Sequence, residues 1–136
     1  MKQKIIFIIV VAMMGIIFIF SSCNADVSSM QSELIVKMLN NVLPVNSFFV
    51  RKFAHFSLFF TLELILYLLF KNIQKSFVVT IIYAILDEIH QYFVPGRSCE
   101  LRDMIIDITG GLFAVLIIII WRYIYVKRTR NNEKNS

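Results

Sequence analysis

Cysteine is scarce in this 136-residue chain, which has only Cys23 and Cys99. There is no CxxC pair and no zinc-finger spacing. Two free thiols are expected, since a disulfide between them would require both to face an oxidising side. Charge is also sparse, at 17% of residues. The basic residues flank apolar segments and form no continuous patch, so the net charge of +5 does not indicate nucleic-acid binding. The chain contains no HExxH helix, no nucleophile elbow and no internal repeat. It is rich instead in apolar residues, 58% in all, thirteen of them Phe, with a mean hydropathy of +0.73. A soluble domain of this length cannot hide so much apolar surface. An all-α, polytopic membrane protein is expected.

A hydrocarbon core of ~30 Å needs about 20 helical residues. Four segments meet that need, at about residues 5–22, 52–70, 76–94 and 103–125. Lipid offers the backbone no partners, so these are expected as helices packed in a compact bundle. The string Phe20-Ser21-Ser22-Cys23 also resembles a lipoprotein cleavage box, which would lipidate Cys23 and leave three spans. An uncleaved first helix is the expectation. Met30, Leu34, Ile35, Met38, Leu39 and Val42 recur on one helical face, Glu33 and Lys37 form an i,i+4 pair, and Pro44 stops the pattern. A short amphipathic helix over 30–43, lying on the membrane surface, is expected in preference to a flexible loop. Residues 1–126 form one membrane domain, and 127–136 is expected to be a basic, disordered tail.

Four spans place both termini on one side. Lys2, Lys4, Lys71, Lys75, Arg122, Lys127, Arg128, Arg130 and Lys134 then share a side, against Lys37, Arg51, Lys52, Arg97 and Arg102 on the other. The excess predicts cytoplasmic termini. Trp121, Tyr123 and Tyr125 look like an interfacial aromatic belt at the inner end of the last span.

This topology gathers polar residues from distant parts of the chain. Residues 87–103, DEIHQYFVPGRSCELRD, hold Asp87, Glu88, His90, Gln91, Arg97, Glu100 and Asp103, and Asp107 lies just beyond. Arg51, Lys52 and His55 start the second span at the same face. Ionisable groups among apolar spans are costly and mark a site by default. Asp87, His90 and Gln91 at i, i+3 and i+4 are expected on one helix face. Ten residues, Phe77 to Leu86, separate the inner boundary from Asp87, roughly 15 Å at helical rise. Glu63, eleven residues beyond Lys52, falls at roughly 16 Å by the same count. Glu63 and Asp87 are therefore expected as buried acids at one depth, flooring a polar funnel. Pro95-Gly96 reads as a turn, and Gly110-Gly111 as a place of close helix approach.

Several strings together resemble the VanZ-like family of bacterial membrane proteins. They are Arg51-Lys52-Phe53-Ala54-His55, Asp87-Glu88-Ile89-His90-Gln91, Pro95-Gly96-Arg97-Ser98, and Asp103 with Gly110, joined by Ser21-Ser22 after the first span. They cover residues 16–115. Leu58 and Phe59 depart from the polar or aromatic pair the family often carries there, and Asp107 stands where Asn is usual. The resemblance implies a small four-helix protein of the bacterial cytoplasmic membrane. It also implies a link to resistance against teicoplanin-type glycopeptides. It supplies no molecular activity.

The same residues support several chemistries. His55, Asp87, Glu88, His90 and Asp103 are candidates for acid–base catalysis, because histidine titrates near neutrality and burial raises a carboxyl pKa. Without a nucleophile motif, the reading leans against an enzyme. Two histidines and several carboxylates suit a divalent metal, although no histidine pair stands at ligand spacing on one helix and the sequence requires no cofactor. As a binding site, Arg51, Lys52, His55, Gln91, Arg97, Asp103 and Asp107 would hold the anionic headgroup of a phospholipid or of a lipid-linked cell-wall precursor. That is the preferred reading: an accessory role in glycopeptide resistance or envelope homeostasis, with the bilayer as partner. A membrane-embedded acid–base or metal-dependent enzyme on a lipid-linked substrate is second. Interhelical pairing alone is a thin reason for so many polar groups, since such contacts average below about 1 kcal/mol. Thiol labelling of Cys99 in intact cells tests the orientation. Labelling is expected without permeabilisation, and labelling only after permeabilisation would invert the topology.

Overall fold

The computed structural model describes residues 2–39 and 46–134. Within them lie five α-helices and no strand: α1 (Lys2–Ser22), α2 (Ala25–Leu39), α3 (Ser47–Phe70), α4 (Ile73–Tyr92) and α5 (Leu101–Lys134). Val42 and Pro44, expected to complete and end the amphipathic pattern, lie outside the described residues.

Asparagine starts three of the helices. The Asn24, Asn46 and Asn72 side chains accept from the backbone N–H groups of Val27, Phe49 and Lys75 at 2.8–2.9 Å, satisfying donors a helix start leaves free. α3 and α4 are joined by Lys71 and Asn72 alone. Lys71 takes the left-handed conformation, φ 53°, and its N–H closes on the Tyr67 carbonyl at 2.8 Å. After α4, Pro95 and Gly96 (φ 75°) form the expected turn, with the Arg97 N–H donating to the Val94 carbonyl at 3.1 Å.

Cross-helix contacts give the arrangement. Met14 meets Tyr83 and Ser21 meets Asp87, so α1 and α4 run in the same direction. Lys52 meets Asp103 and His55 meets Asp107, so α3 and α5 also run together. Glu63 meets Thr80 and Phe59 meets Tyr83, so α3 and α4 are antiparallel. The ends of α1 and α4 and the starts of α3 and α5 therefore share one end of the molecule, hereafter the polar end.

α1, α3 and α5 are each long and apolar enough to cross a membrane. α4 has the length but carries Lys75, Asp87 and Glu88, which keeps it out of that class. Its polarity is arranged inside out. Its buried residues are Ser76, Thr80, Ala84, Asp87, Glu88 and Gln91, one stripe at helical spacing. Val78, Ile82, Ile85, Leu86 and Ile89 are exposed. An apolar outside around a polar inside suits lipid rather than water.

α3 and α5 make the most extensive helix contact. Gly110 permits it: a Cβ there would collide with the Phe56 carbonyl oxygen. A Cβ at Gly111 would meet the Thr80 methyl at 2.8 Å. Below the polar end, Val10, Ile17, Phe59, Leu62, Leu66 and Ala84 form the apolar core.

α5 continues past residue 127, where the tail was expected to begin, to Lys134. No Gly or Pro follows Gly111 to break it, and Lys127, Arg128 and Arg130 favour a helix C-terminus. α2 covers Ala25–Leu39, where an amphipathic helix was expected over 30–43; Met30, Leu34 and Met38 are exposed along one line and Ser28 and Ser32 turn inward, with α3 as packing partner. Gly110→Ala is expected to destabilise the protein by about 2 kcal/mol or more, because backbone must move. Gly111→Ala should cost less, because a side chain can shift. Thermal unfolding in detergent measures both, and equal or reversed costs would contradict this packing.

Candidate functional site at the polar end

Asp87 is where the helices meet. It is 4% exposed, and its Oδ2 accepts from the Ser21 hydroxyl and the Gln91 amide, both at 2.8 Å. Gln91 in turn accepts from Arg97 Nη1 at 2.9 Å. Arg97 Nη2 reaches the Phe20 carbonyl at the end of α1, at 3.5 Å. A neutral amide thus stands between the Arg97 guanidinium and the Asp87 carboxylate.

Across the bundle, His55 Nδ1 lies 3.4 Å from Asp107 Oδ1. Asp107 is fully buried, and neither of its oxygens has a hydrogen-bond partner among the described residues. Ligand-capable atoms of His55, Asp87 and Asp107 all lie within 4.8 Å of one another. Lys52 pairs with Asp103, whose other oxygen is buried without a partner. Glu88 accepts from the Glu100 backbone N–H at 2.9 Å through Oε2, while its Oε1 is unpartnered. Glu88 thus holds the start of α5 against the end of α4.

Two cavities open beside these groups. One, of about 120 Å³, is polar and is lined by Arg51, Lys52, His55, Gln91, Arg97 and Asp103 among others. The other, of about 590 Å³, lies under α2. Phe20, Ile35, Val50, Ala54 and Leu58 give it an apolar wall, and Ser28, Ser32, Ser57 and Thr61 add hydroxyls. Arg51, His55 and Arg97 line both. Arg51 has no ion pair or side-chain hydrogen bond among the described residues. Burial lowers the Arg97 pKa from its ordinary value and the charge of Arg51 acts in the same direction, yet a guanidinium stays protonated. The result is two cations facing shared space without a carboxylate on either.

A comparison with families of known proteins matches this chain over residues 6–122 to the VanZ/LLP1 family. The chain belongs to the VanZ/LLP1 family. No curated protein and no solved structure matches it. The match spans the whole site of this VanZ-family protein, from Ser21 to Asp107.

Three candidate residues take places that differ from expectation. His90 sits outside the acid cluster: its Nε2 is 3.0 Å from the Ser22 hydroxyl and its ring packs on Phe18 at 4.4 Å. It therefore faces α1, while Asp87 and Gln91 follow the buried stripe. Lys52 is taken up by Asp103, leaving Arg51 and Arg97 as the cations that face the cavities. Glu63 is buried as expected, but it does not share a depth with Asp87. It accepts from Ser76 at 2.7 Å and Thr80 at 2.6 Å, and Thr80 lies seven residues before Asp87, about 10 Å along the helix. The helix starts at Ile73 rather than near Phe77, so Asp87 is about a turn further from the inner boundary than the apolar count suggested.

Sequence reasoning gave no role to Ser76, Thr80 or the α2 serines. Ser76 and Thr80 carried a usable signal, since both fall on the Ala84–Asp87–Gln91 stripe. Ser21 likewise shares a face with Val10 and Ile17. A double-mutant cycle tests the Lys52–Asp103 pair. Lys52→Met and Asp103→Asn should each cost about 1–3 kcal/mol by leaving a partner unsatisfied, and the double variant should cost less than both together by about 1 kcal/mol. Additive costs in unfolding measurements would show the pair to be uncoupled.

Proposed function

We propose that this protein binds the anionic headgroup of an outer-leaflet lipid or lipid-linked cell-wall precursor at the polar end, and acts as an accessory in glycopeptide resistance or envelope homeostasis. In this reading α1, α3, α4 and α5 all span the bacterial cytoplasmic membrane, both termini are cytoplasmic, and α2 lies on the outer surface with Met30, Leu34 and Met38 toward lipid. The observation that carries the reading is the pair Arg51 and Arg97, cationic and without carboxylate partners, beside a cavity with an apolar wall. An amphiphile fits that combination: phosphate oxygens accept from the guanidiniums, and its chain lies along Leu58, Ala54 and Ile35. The bound anion would also relieve the repulsion between the two arginines.

An acid–base enzyme on the same substrate is the second reading, favoured by His55 standing beside Asp107 at the cavity wall. The purified protein in nanodiscs, titrated separately with phosphatidylglycerol and with a polyprenyl-diphosphate wall precursor, separates the sources and the readings. Saturable binding of one lipid without product supports a binder, whereas turnover supports the enzyme. Arg51→Gln and Arg97→Gln should each weaken binding about tenfold, the loss expected for one charge-assisted hydrogen bond. Unchanged affinity in both variants would refute the site.

A further inference from the structure

We infer that His55, Asp87 and Asp107 form a binding site for a first-row divalent metal ion such as zinc. This goes beyond headgroup binding and does not depend on it. The residues come from three helices, α3, α4 and α5, so no helical ligand motif announces them. Their donor set, one imidazole nitrogen and two carboxylates, is one that zinc accepts, and three protein ligands leave a coordination position open.

The distances admit an ion pair and suit a ligand pair equally well. His55 Nδ1 and Asp107 Oδ1 are 3.4 Å apart, longer than the usual range for an N–H···O hydrogen bond, and His55 Nδ1 and both oxygens of Asp107 are without hydrogen-bond partners. Two ligands held about 2.1 Å from a tetrahedral ion are separated by about 3.4 Å. The limit of 4.8 Å among all three donors leaves an adjustment of at most about 1.4 Å for Asp87 to reach the same separation. A buried carboxylate with no hydrogen bond to either oxygen is strongly disfavoured unless a cation meets it, and Asp107, fully buried, has only the His55 ring at ion-pair distance among the described residues.

The surroundings suit the assignment. Ser21 and Gln91 both donate to Asp87 Oδ2, which fixes the orientation of that carboxylate as outer-shell donors do at metal sites. Among the described residues no lysine or arginine pairs with Asp87 or Asp107: Lys52 is on Asp103, Arg97 is on Gln91 and the Phe20 carbonyl, and Arg51 lines the cavities. His55 also lines both cavities, so an ion there would lie at their common wall.

Cobalt(II) tests this directly, as a spectroscopically visible stand-in for zinc. The full chain, purified through a tag free of histidine, is stripped with chelator in detergent and titrated with Co²⁺ alone. One equivalent should bind with visible ligand-field bands, and Zn²⁺ should displace it. His55→Gln and Asp107→Asn should each weaken binding at least about tenfold, whereas His90→Gln should leave it unchanged. If the two cluster variants do not fold, Zn²⁺ must still raise the unfolding temperature of the unaltered chain relative to chelator. No saturable Co²⁺ band with no thermal shift, or binding retained in both cluster variants, would overturn the site. Because no anionic lipid is present, failure here leaves the Arg51–Arg97 reading standing, and failure of lipid binding leaves this one.

Discussion

A polar group inside an apolar bundle has nowhere to turn for partners but to other protein groups, and that constraint orders this structure. Asp87 illustrates it. Its carboxylate draws Ser21 from α1 and Gln91 from its own helix, Gln91 brings in Arg97 from the α4–α5 turn, and His55 and Asp107 stand close by on α3 and α5. Every long helix contributes to one polar knot. Deeper in the bundle, Glu63 obeys the same rule with the hydroxyls of Ser76 and Thr80. That second site is closed and satisfied, and it holds α3 against α4. The polar end differs because its satisfaction is incomplete: both oxygens of Asp107, one of Asp103 and one of Glu88 have no hydrogen-bond partner among the described residues. Incomplete pairing is costly in a low-dielectric interior, and of these groups Asp103 lines the polar cavity.

The tight α3–α4 connection sets which residues face one another. With only Lys71 and Asn72 between the helices, residues equally far from the turn lie opposite. Glu63 is eight positions before Lys71 and Thr80 eight after Asn72; Phe56 is fifteen before and Asp87 fifteen after. The two-residue turn therefore delivers Glu63 to the hydroxyls and Asp87 to the level of His55. Gly110 then lets α5 approach the α3 backbone at Phe56, which carries Asp107 to His55. The site thus depends on a turn and a glycine distant from its chemistry.

Much of the architecture was legible because periodicity and composition are local. The apolar runs of α1, α3 and α5, the Pro95-Gly96 turn and the Gly110 contact follow from residues read in order. Strings such as Arg51–His55 and Asp87–Gln91 carried the resemblance to the VanZ-like family, which the match over residues 6–122 bears out. The continuation of α5 past residue 127 was not legible from polarity, because a solvated helix and a disordered tail share a composition. The common depth assigned to Glu63 and Asp87 failed because hydropathy marks where apolar residues begin, whereas the Asn72 cap starts α4 a turn earlier.

The amino-acid sequence by itself determined that the chain is helical and membrane-like, and that Arg51, Lys52 and His55 share one end with the polar residues of 87–107, since these follow from spacing along single helices. Only the tertiary structure decided their partnerships: Lys52 with Asp103, His90 with Ser22, and His55 with Asp107. Each pairing joins residues from different helices. Which of several nearby charges meet is set by helix rotation and axial register, and these emerge only when the helices pack.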